Sequence, residues 1–97
     1  MFADIGAAST LYVDDDGNQN YTTIQEAIDN ATPGDTIIVS PGVYIENVDV
    51  YKEVILMSEG GEPADTFVYP DDPDYDVFYV DSDNVTVGGF TIRGAVS

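Results

Sequence analysis

The sequence predicts an all-β fold, a parallel β-solenoid of roughly three to four coils with an α-helix capping its N-terminal end. Short apolar segments centred near residues 38, 55 and 79 recur at intervals of roughly 17 and 24 residues, in the range typical of solenoids. The turns contain Pro-Gly pairs or acidic runs instead of the Asn-Gly pairs of two-residue hairpins, which argues against a sandwich. One amphipathic segment precedes the first strong strand, where a helix can cover an unpaired edge.

Composition restricts the classes of partner. The 97 residues make one small domain, and an apolar fraction of 43% argues against wholesale disorder. Nineteen acidic residues against two basic ones give a net charge of -17. Nucleic acid and anionic membranes are polyanions, so we expect neither as a partner. An acidic polysaccharide would be repelled unless a divalent cation bridged the two. Two interpretations of the charge stay open, a solvated acidic coat and specific calcium binding.

Cysteine and histidine are both absent from the sequence. Disulfides and thiolate metal sites are therefore excluded, together with the commonest general base. No apolar run reaches the roughly 18 residues of a membrane span, and we expect no cofactor other than calcium. Residues 1–10 lack the basic and apolar regions of an intact signal peptide. We expect a flexible leader there, followed by the cap and first coils over residues 11–97.

The first predicted strand, at residues 11–13, leads into an acidic loop. The loop offers oxygen ligands at alternate positions, namely Asp14, Asp16, Asn18 and Asn20. Calcium loops begin in this way, which makes these residues the candidate calcium site. The match to an EF-hand is incomplete, because Gly17 holds the fourth position and Gln25 the twelfth. A plain turn leading into a helix explains the same residues.

The apolar pattern then predicts a helix over residues 22–31. Two threonines, each followed three positions later by Gln or Glu, give overlapping capping boxes. One stripe of the helix is apolar: Ile24, Ala27, Ile28 and Ala31. Pro33 and Gly34 predict a type II turn that ends it.

Short strands fill the rest of the chain. Residues 35–40 are apolar on both faces, which predicts an interior strand. Pro41 and Gly42 repeat the type II turn signature, and residues 48–50 alternate as a strand with one wet face. The remaining predicted strand positions are Val54 and Leu56, Phe67, Phe78 and Val80, Val85 and Val87, and Phe90 and Ile92.

Three stretches carry a resemblance to known proteins. They are YVDDDG at residues 12–17, YTTIQEAIDNATPGDTIIVSPGVYIENV at residues 21–48, and NVTVGGFTIRGA at residues 84–95. The chain resembles right-handed parallel β-helix proteins of the pectin-lyase-like superfamily. It is similar to archaeal cell-surface and S-layer-associated members, and its N-terminal part also to pectin methylesterases. The third stretch resembles strand pairs of carbohydrate-binding and sugar-hydrolysing β-helix modules. This implies a right-handed winding and an extracellular or cell-surface location, and is nearly silent on activity.

Catalytic residues cannot be assigned from this resemblance. Those of a pectin methylesterase, a Gln, two Asp and an Arg, would lie on later coils. A lyase needs a base near calcium, and Arg93, the late basic residue, more typically faces solvent or pairs with a carboxylate. The acidic loop at residues 71–76 has the carboxylates of a glycosidase but no sign of burial. We therefore predict no catalytic residue and leave enzymatic activity open.

Two further sets of residues suggest contact with carbohydrate. Asn-X-Ser/Thr sequons mark glycan acceptors, here Asn20, Asn30 and Asn84. Asn84 fits equally well as a turn residue that bonds the backbone. Tyrosines that could stack on sugars, or simply be half-buried strand residues, are Tyr44, Tyr51, Tyr69, Tyr75 and Tyr79.

The leading hypothesis is a non-catalytic N-terminal β-helix module of an exported cell-surface protein, structural or adhesive, with weak carbohydrate or calcium binding. The expected partners are polysaccharide or other cell-surface components. The alternative is the front of a carbohydrate-active enzyme whose active site lies beyond residue 97. A third hypothesis is an assembly module, because an open last coil at residues 85–92 would permit an end-to-end homodimer.

Overall fold

The computed structural model describes residues 9–61 and 65–96, and most of its regular structure is β-strand. The elements are β1 (Thr10–Val13), α1 (Ile24–Asn30), β2 (Thr36–Val39), β3 (Gly42–Ile45), β4 (Val48–Val50), β5 (Ile55–Ser58), a 3-10 turn (Glu59–Gly61), β6 (Thr66–Tyr69), β7 (Phe78–Val80), β8 (Thr86–Gly88) and β9 (Thr91–Ile92). The all-β prediction is confirmed at this level. Residues 1–8 of the expected leader lie outside the described residues, and its last residue, Thr10, already belongs to β1.

The strands form three sheets in which every described pair is parallel. Sheet A has the order β1-β2-β5-β8, sheet B the order β3-β6-β9, and sheet C contains β4 and β7. From β2 onward the chain visits sheets A, B and C in turn and returns to each beside its previous strand. The predicted strand at residue 79 is therefore not the counterpart of those at 38 and 55, because β7 pairs with β4 in sheet C.

The register aligns apolar side chains across each sheet. In sheet A, Ile37 lies between Leu11 and Leu56, and Leu56 pairs in turn with Val87. Ile37 and Leu56 are fully buried, and each such side chain removed from water contributes about 1.5–3 kcal/mol. The prediction of an interior strand is confirmed, because β2 has a neighbour on both sides.

The helix spans Ile24–Asn30, which is shorter than the predicted residues 22–31, and the predicted apolar stripe is buried. Thr23 is the N-cap, and its Oγ1 accepts a hydrogen bond from the Glu26 amide at 3.2 Å. The stripe predicted from the sequence, Ile24, Ala27, Ile28 and Ala31, is buried. The Pro33-Gly34 turn is confirmed, with Gly34 at φ 97° and the Asp35 amide donating to the Thr32 carbonyl at 3.0 Å.

The second predicted type II turn is wrong. Gly42 is the first residue of β3, with φ 157°, and not the third residue of a turn. A Cβ at Gly42 would lie 2.5 Å from Asp15 Oδ2, and the same Oδ2 accepts a hydrogen bond from the Val43 amide at 3.1 Å. Glycine at this position therefore admits a carboxylate to the outer edge of β3.

Two residues from the segment after β3 hold the two ends of α1. The Glu46 carboxylate accepts hydrogen bonds from the amides of Ile24 and Gln25 at 2.8 and 3.1 Å. Burial raises the pKa of Glu46, against these two bonds, which lower it. The Lys52 ammonium donates to the carbonyls of Asp29 and Ala31 at 2.9 and 2.8 Å, where the helix ends.

The helix covers the outer edge of sheet C. It packs on β4 and also contacts β1 and β2. The Gln25 side chain accepts from the Asp49 amide at 2.8 Å and donates to the Asp49 carbonyl at 3.1 Å, as a neighbouring strand would. The sequence predicts that the helix covers the edge of the first strong strand, which is β2. That edge already pairs with β1, and α1 covers the edge of β4 instead.

Candidate functional site

A cavity of about 280 Å³ lies beside sheet C and is named here the sheet C groove. Its lining consists of Asn47, Val48, Asp49, Tyr75, Asp76 and Tyr79. The first three come from β4 and the residue before it, and the others from β7 and the loop that precedes it.

Strand alternation places the two central side chains of the groove. Asp49 and Tyr79 are register partners on β4 and β7, and both are exposed. Their strand neighbours Val48, Val50 and Phe78 are buried. Because side chains alternate along a strand, the carboxylate and the phenol lie side by side on the outer face.

Asn47 fixes the loop that forms one wall of the groove. Its Nδ2 donates to the carbonyls of Asp72, Tyr75 and Asp76 at 3.0, 3.3 and 2.9 Å. Its Oδ1 accepts from the Asp72 amide at 2.7 Å. The position of Tyr75 is therefore set by hydrogen bonds that cross to β4, although the ring itself is 68% exposed.

The five candidate tyrosines do not share one face. Tyr75 and Tyr79 line the groove, whereas Tyr44 is buried and Tyr69 stacks on Phe67 in sheet B at 6.3 Å between ring centroids. The Tyr51 hydroxyl donates to Asp29 Oδ1 at 2.7 Å, and this bond lowers the pKa of Asp29. The aromatic character of the groove thus comes from two rings.

The predicted calcium loop forms a compact acidic cluster. The carboxylates of Asp14, Asp15 and Asp16 lie within 4.8 Å of one another, so Asp15, which the alternate spacing omitted, belongs with the two predicted aspartates. Asp15 Oδ2 also accepts a hydrogen bond from the Val43 amide in β3. Asp14 Oδ1 accepts one from the Asp16 amide at 3.0 Å. The calcium site at Asp14, Asp16, Asn18 and Asn20 stays a prediction.

The three sequon asparagines are exposed. Asn30 Nδ2 donates to the Glu26 carbonyl at 2.8 Å, and Asn84 has a φ of 59°, the left-handed conformation of a turn residue. Glycosylation at Asn20, Asn30 and Asn84 stays a prediction. Arg93 is exposed, as are Asp71, Asp72 and Asp74 in the acidic loop.

Sequence reasoning missed the residues that assemble these surfaces. In the sequence, Asn47 is a polar residue just before an alternating strand, and Gln25 lies outside the apolar stripe of the predicted helix. Glu46 gave no signal beyond its charge. Each acts on a partner more than 20 positions away, and only the fold brings those partners together.

The described part of the chain contains no helix with the length and hydrophobicity needed to cross a bilayer.

No family model matches the chain, and no solved structure matches it. The chain is similar to a cell surface glycoprotein of the archaeon Methanothermus fervidus, with 35% identity over 79 residues. The aligned part is 79% of this chain and 13% of the glycoprotein, so the chain spans a small fraction of that relative's length. The similarity supports a relation to cell-surface proteins and suggests a cell-surface location.

Proposed function

We propose that this chain is a non-catalytic module of a cell-surface protein, with a structural or adhesive role. The observation that carries the proposal is an alignment, covering 79% of the chain at 35% identity, with a cell surface glycoprotein. The parallel sheets support it, because their outer faces offer a long surface on a rigid support.

We further propose that the strands wind as a right-handed parallel β-helix with α1 as its cap. The cyclic visits to sheets A, B and C support the winding, and the bonds of Gln25 to Asp49 support the cap. Amide-to-amide nuclear Overhauser contacts between the parallel strands at Ile37, Leu56 and Val87 are expected. The cross-strand Hα contacts of antiparallel pairing would contradict the winding.

Location is tested in cells that produce the protein. An antibody against the folded chain is expected to label intact cells. Labelling that requires permeabilised cells would contradict a cell-surface role, even if the fold is as proposed. An antibody against a cytoplasmic protein serves as the control for intactness.

The last coil carries a proposal about assembly. Among the described residues, β8 and β9 have a strand neighbour on one side only. Partly buried Val85, Val87, Phe90 and Ile92 pack against the core beneath this edge. We propose that two copies pair through it as an end-to-end homodimer, because an unpaired edge is a template for another strand.

A further inference from the structure

The sheet C groove has the chemistry of a cation site. We propose that it binds the ammonium group of a lysine side chain presented by a partner protein. The proposal concerns a binding partner and does not depend on the winding of the strands or on the end-to-end dimer.

Charge is the first support. The exposed carboxylate of Asp49 lines the groove beside Tyr79. The chain has two basic residues, and neither Lys52 nor Arg93 is among the described residues that line it. The Lys52 ammonium is engaged at the end of α1. A chain of net charge -17 also draws cationic partners toward its surface.

The aromatic rings are the second support. Tyr75 and Tyr79 are 68% and 50% exposed, so their ring faces are open to a ligand. An ammonium group is attracted to the face of a tyrosine within about 6 Å of the ring centroid. Neighbouring strands lie about 4.8 Å apart, so one ammonium can contact both the Tyr79 ring and the Asp49 carboxylate.

The walls of the groove are already ordered. The four hydrogen bonds of Asn47 hold the loop of Tyr75 and Asp76 against β4. On the other side, Gln25 holds the backbone of Asp49. A ligand therefore does not have to order the site, which reduces the entropic cost of binding.

Two other ligand classes fit the groove less well. A neutral sugar finds donors in the hydroxyls of Tyr75 and Tyr79, although the Asn47 Nδ2 is already engaged, but it leaves the charge of the Asp49 carboxylate uncompensated. Calcium takes six to eight oxygen ligands, whereas tyrosine rings and Val48 form much of this surface. An ammonium group, with three donors and a full charge, matches the Asp49 carboxylate beside two aromatic rings.

The experiment is an NMR titration of the whole ¹⁵N-labelled chain with acetyl-glycyl-lysyl-glycine amide. The matched probes carry norleucine or Nζ-acetyl-lysine in place of lysine. We expect saturable shifts of the amides at residues 47–49 and 75–79 with the lysine peptide, and none with the two uncharged peptides. Equal shifts with all three peptides, or lysine-dependent shifts centred on another acidic segment, would overturn the proposal.

Variants then assign the contact. Tyr79→Leu and Asp49→Asn are each expected to weaken lysine-peptide binding roughly two- to fivefold, the range of an exposed cation–π contact and of an exposed ion pair respectively. Their controls are Tyr12→Leu, another exposed strand tyrosine, and Asp83→Asn, another exposed aspartate, and neither should change the affinity. If the control variants weaken binding equally, the attraction is general electrostatics and the proposal is wrong.

Methyl glucoside completes the set of probes. If it shifts the groove amides and the lysine peptide does not, the site binds neutral glycan and the ammonium proposal is overturned. The titrations of the wild-type chain are sufficient to choose between an ammonium and a sugar ligand. The proposal therefore stays testable even if a site variant fails to fold.

Discussion

Tyr44 reverses the usual placement of apolar and polar side chains in its strand. Val43 and Ile45 are 47% and 61% exposed, whereas Tyr44 between them is 3% exposed. Its hydroxyl donates to the Ser40 carbonyl at 2.9 Å and accepts from the Asp15 amide at 3.2 Å. The tyrosine therefore faces inward and joins the acidic loop to the chain segment before β3, a role that alternation of residue types could not predict.

Removing this hydroxyl should destabilise the protein. Tyr44→Phe leaves the Ser40 carbonyl and the Asp15 amide without this partner, and we expect a loss of about 1–2 kcal/mol in the free energy of unfolding. Denaturant unfolding measures it. Tyr12→Phe, on an exposed strand tyrosine, is the matched control and should change stability little. An unchanged midpoint for Tyr44→Phe would contradict the role given to the hydroxyl.

The raised pKa of Tyr44 predicts that the protein loses stability at alkaline pH. Burial, together with the neighbouring charges of Asp15, Asp14 and Glu46 and against the bond from the Asp15 amide, raises the pKa of Tyr44 to about 12. A raised folded-state pKa gives stability that is present below the unfolded value of 10.0 and is lost as pH rises toward 12. The stability advantage of wild type over Tyr44→Phe should shrink across this range. An advantage that grows with pH would contradict the assignment.

At the scale of the element, α1 shows what sequence patterns can and cannot predict. The capping box and the apolar stripe predicted its start and its buried face, because both depend on residues close in sequence. Its partners were not predictable, because Glu46, Asp49 and Lys52 approach it only when the chain folds back. The helix is held at both ends and along one side by the segment that follows β3.

Gln25 gives this element a direct test. Gln25→Ala removes both side-chain bonds to the Asp49 backbone and exposes the edge of β4. We expect a loss of about 1–2 kcal/mol in unfolding free energy and faster hydrogen exchange at the Asp49 amide. Gln19→Ala, in the exposed loop before the helix, is the matched control. Unchanged exchange at Asp49 would show that Gln25 does not protect this edge.

For the whole molecule, turn chemistry predicted parallel strands, and the three parallel sheets confirm that part of the prediction. Two details failed. The sequence pattern predicts a turn at Gly42, which instead accommodates Asp15, and it counts the strand near residue 79 in one series with those near 38 and 55, whereas β7 pairs with β4. Both errors concern contacts between successive passes of the chain, which local spacing does not encode. The sheet C groove was unpredictable for the same reason, since Asp49 and Tyr79 become neighbours only through strand register.

Calcium binding at the acidic loop predicts a change in the stability of the whole chain, because an ion that binds the folded state stabilises it. Calcium is expected to release or take up heat on titration and to raise the melting temperature. Asp14→Asn combined with Asp16→Asn should abolish both effects, whereas Asp81→Asn combined with Asp83→Asn should preserve them. Magnesium at the same concentration controls for general screening. No heat and an unshifted melting temperature would exclude the site.

Dimerisation is the second prediction at this scale. Light scattering at increasing protein concentration is expected to show a mass approaching two chains. Thr86→Lys, at the exposed position of β8, should shift the protein to a monomer because it places charge at the proposed contact edge. Val43→Lys, on another exposed strand, is the control. A wild-type chain that stays monomeric at high concentration would contradict the dimer.

The bonds of Gln25 to Asp49 and of Asp15 to Val43 have a consequence for how copies can associate. Side chains already occupy the outer edges of β4 and β3, so these edges offer poor sites for an incoming strand. In the proposed dimer both copies contribute the edge of β8 and β9, a symmetric contact that closes at two chains. The occupied edges of β3 and β4 therefore disfavour open-ended growth of fibres through sheets B and C.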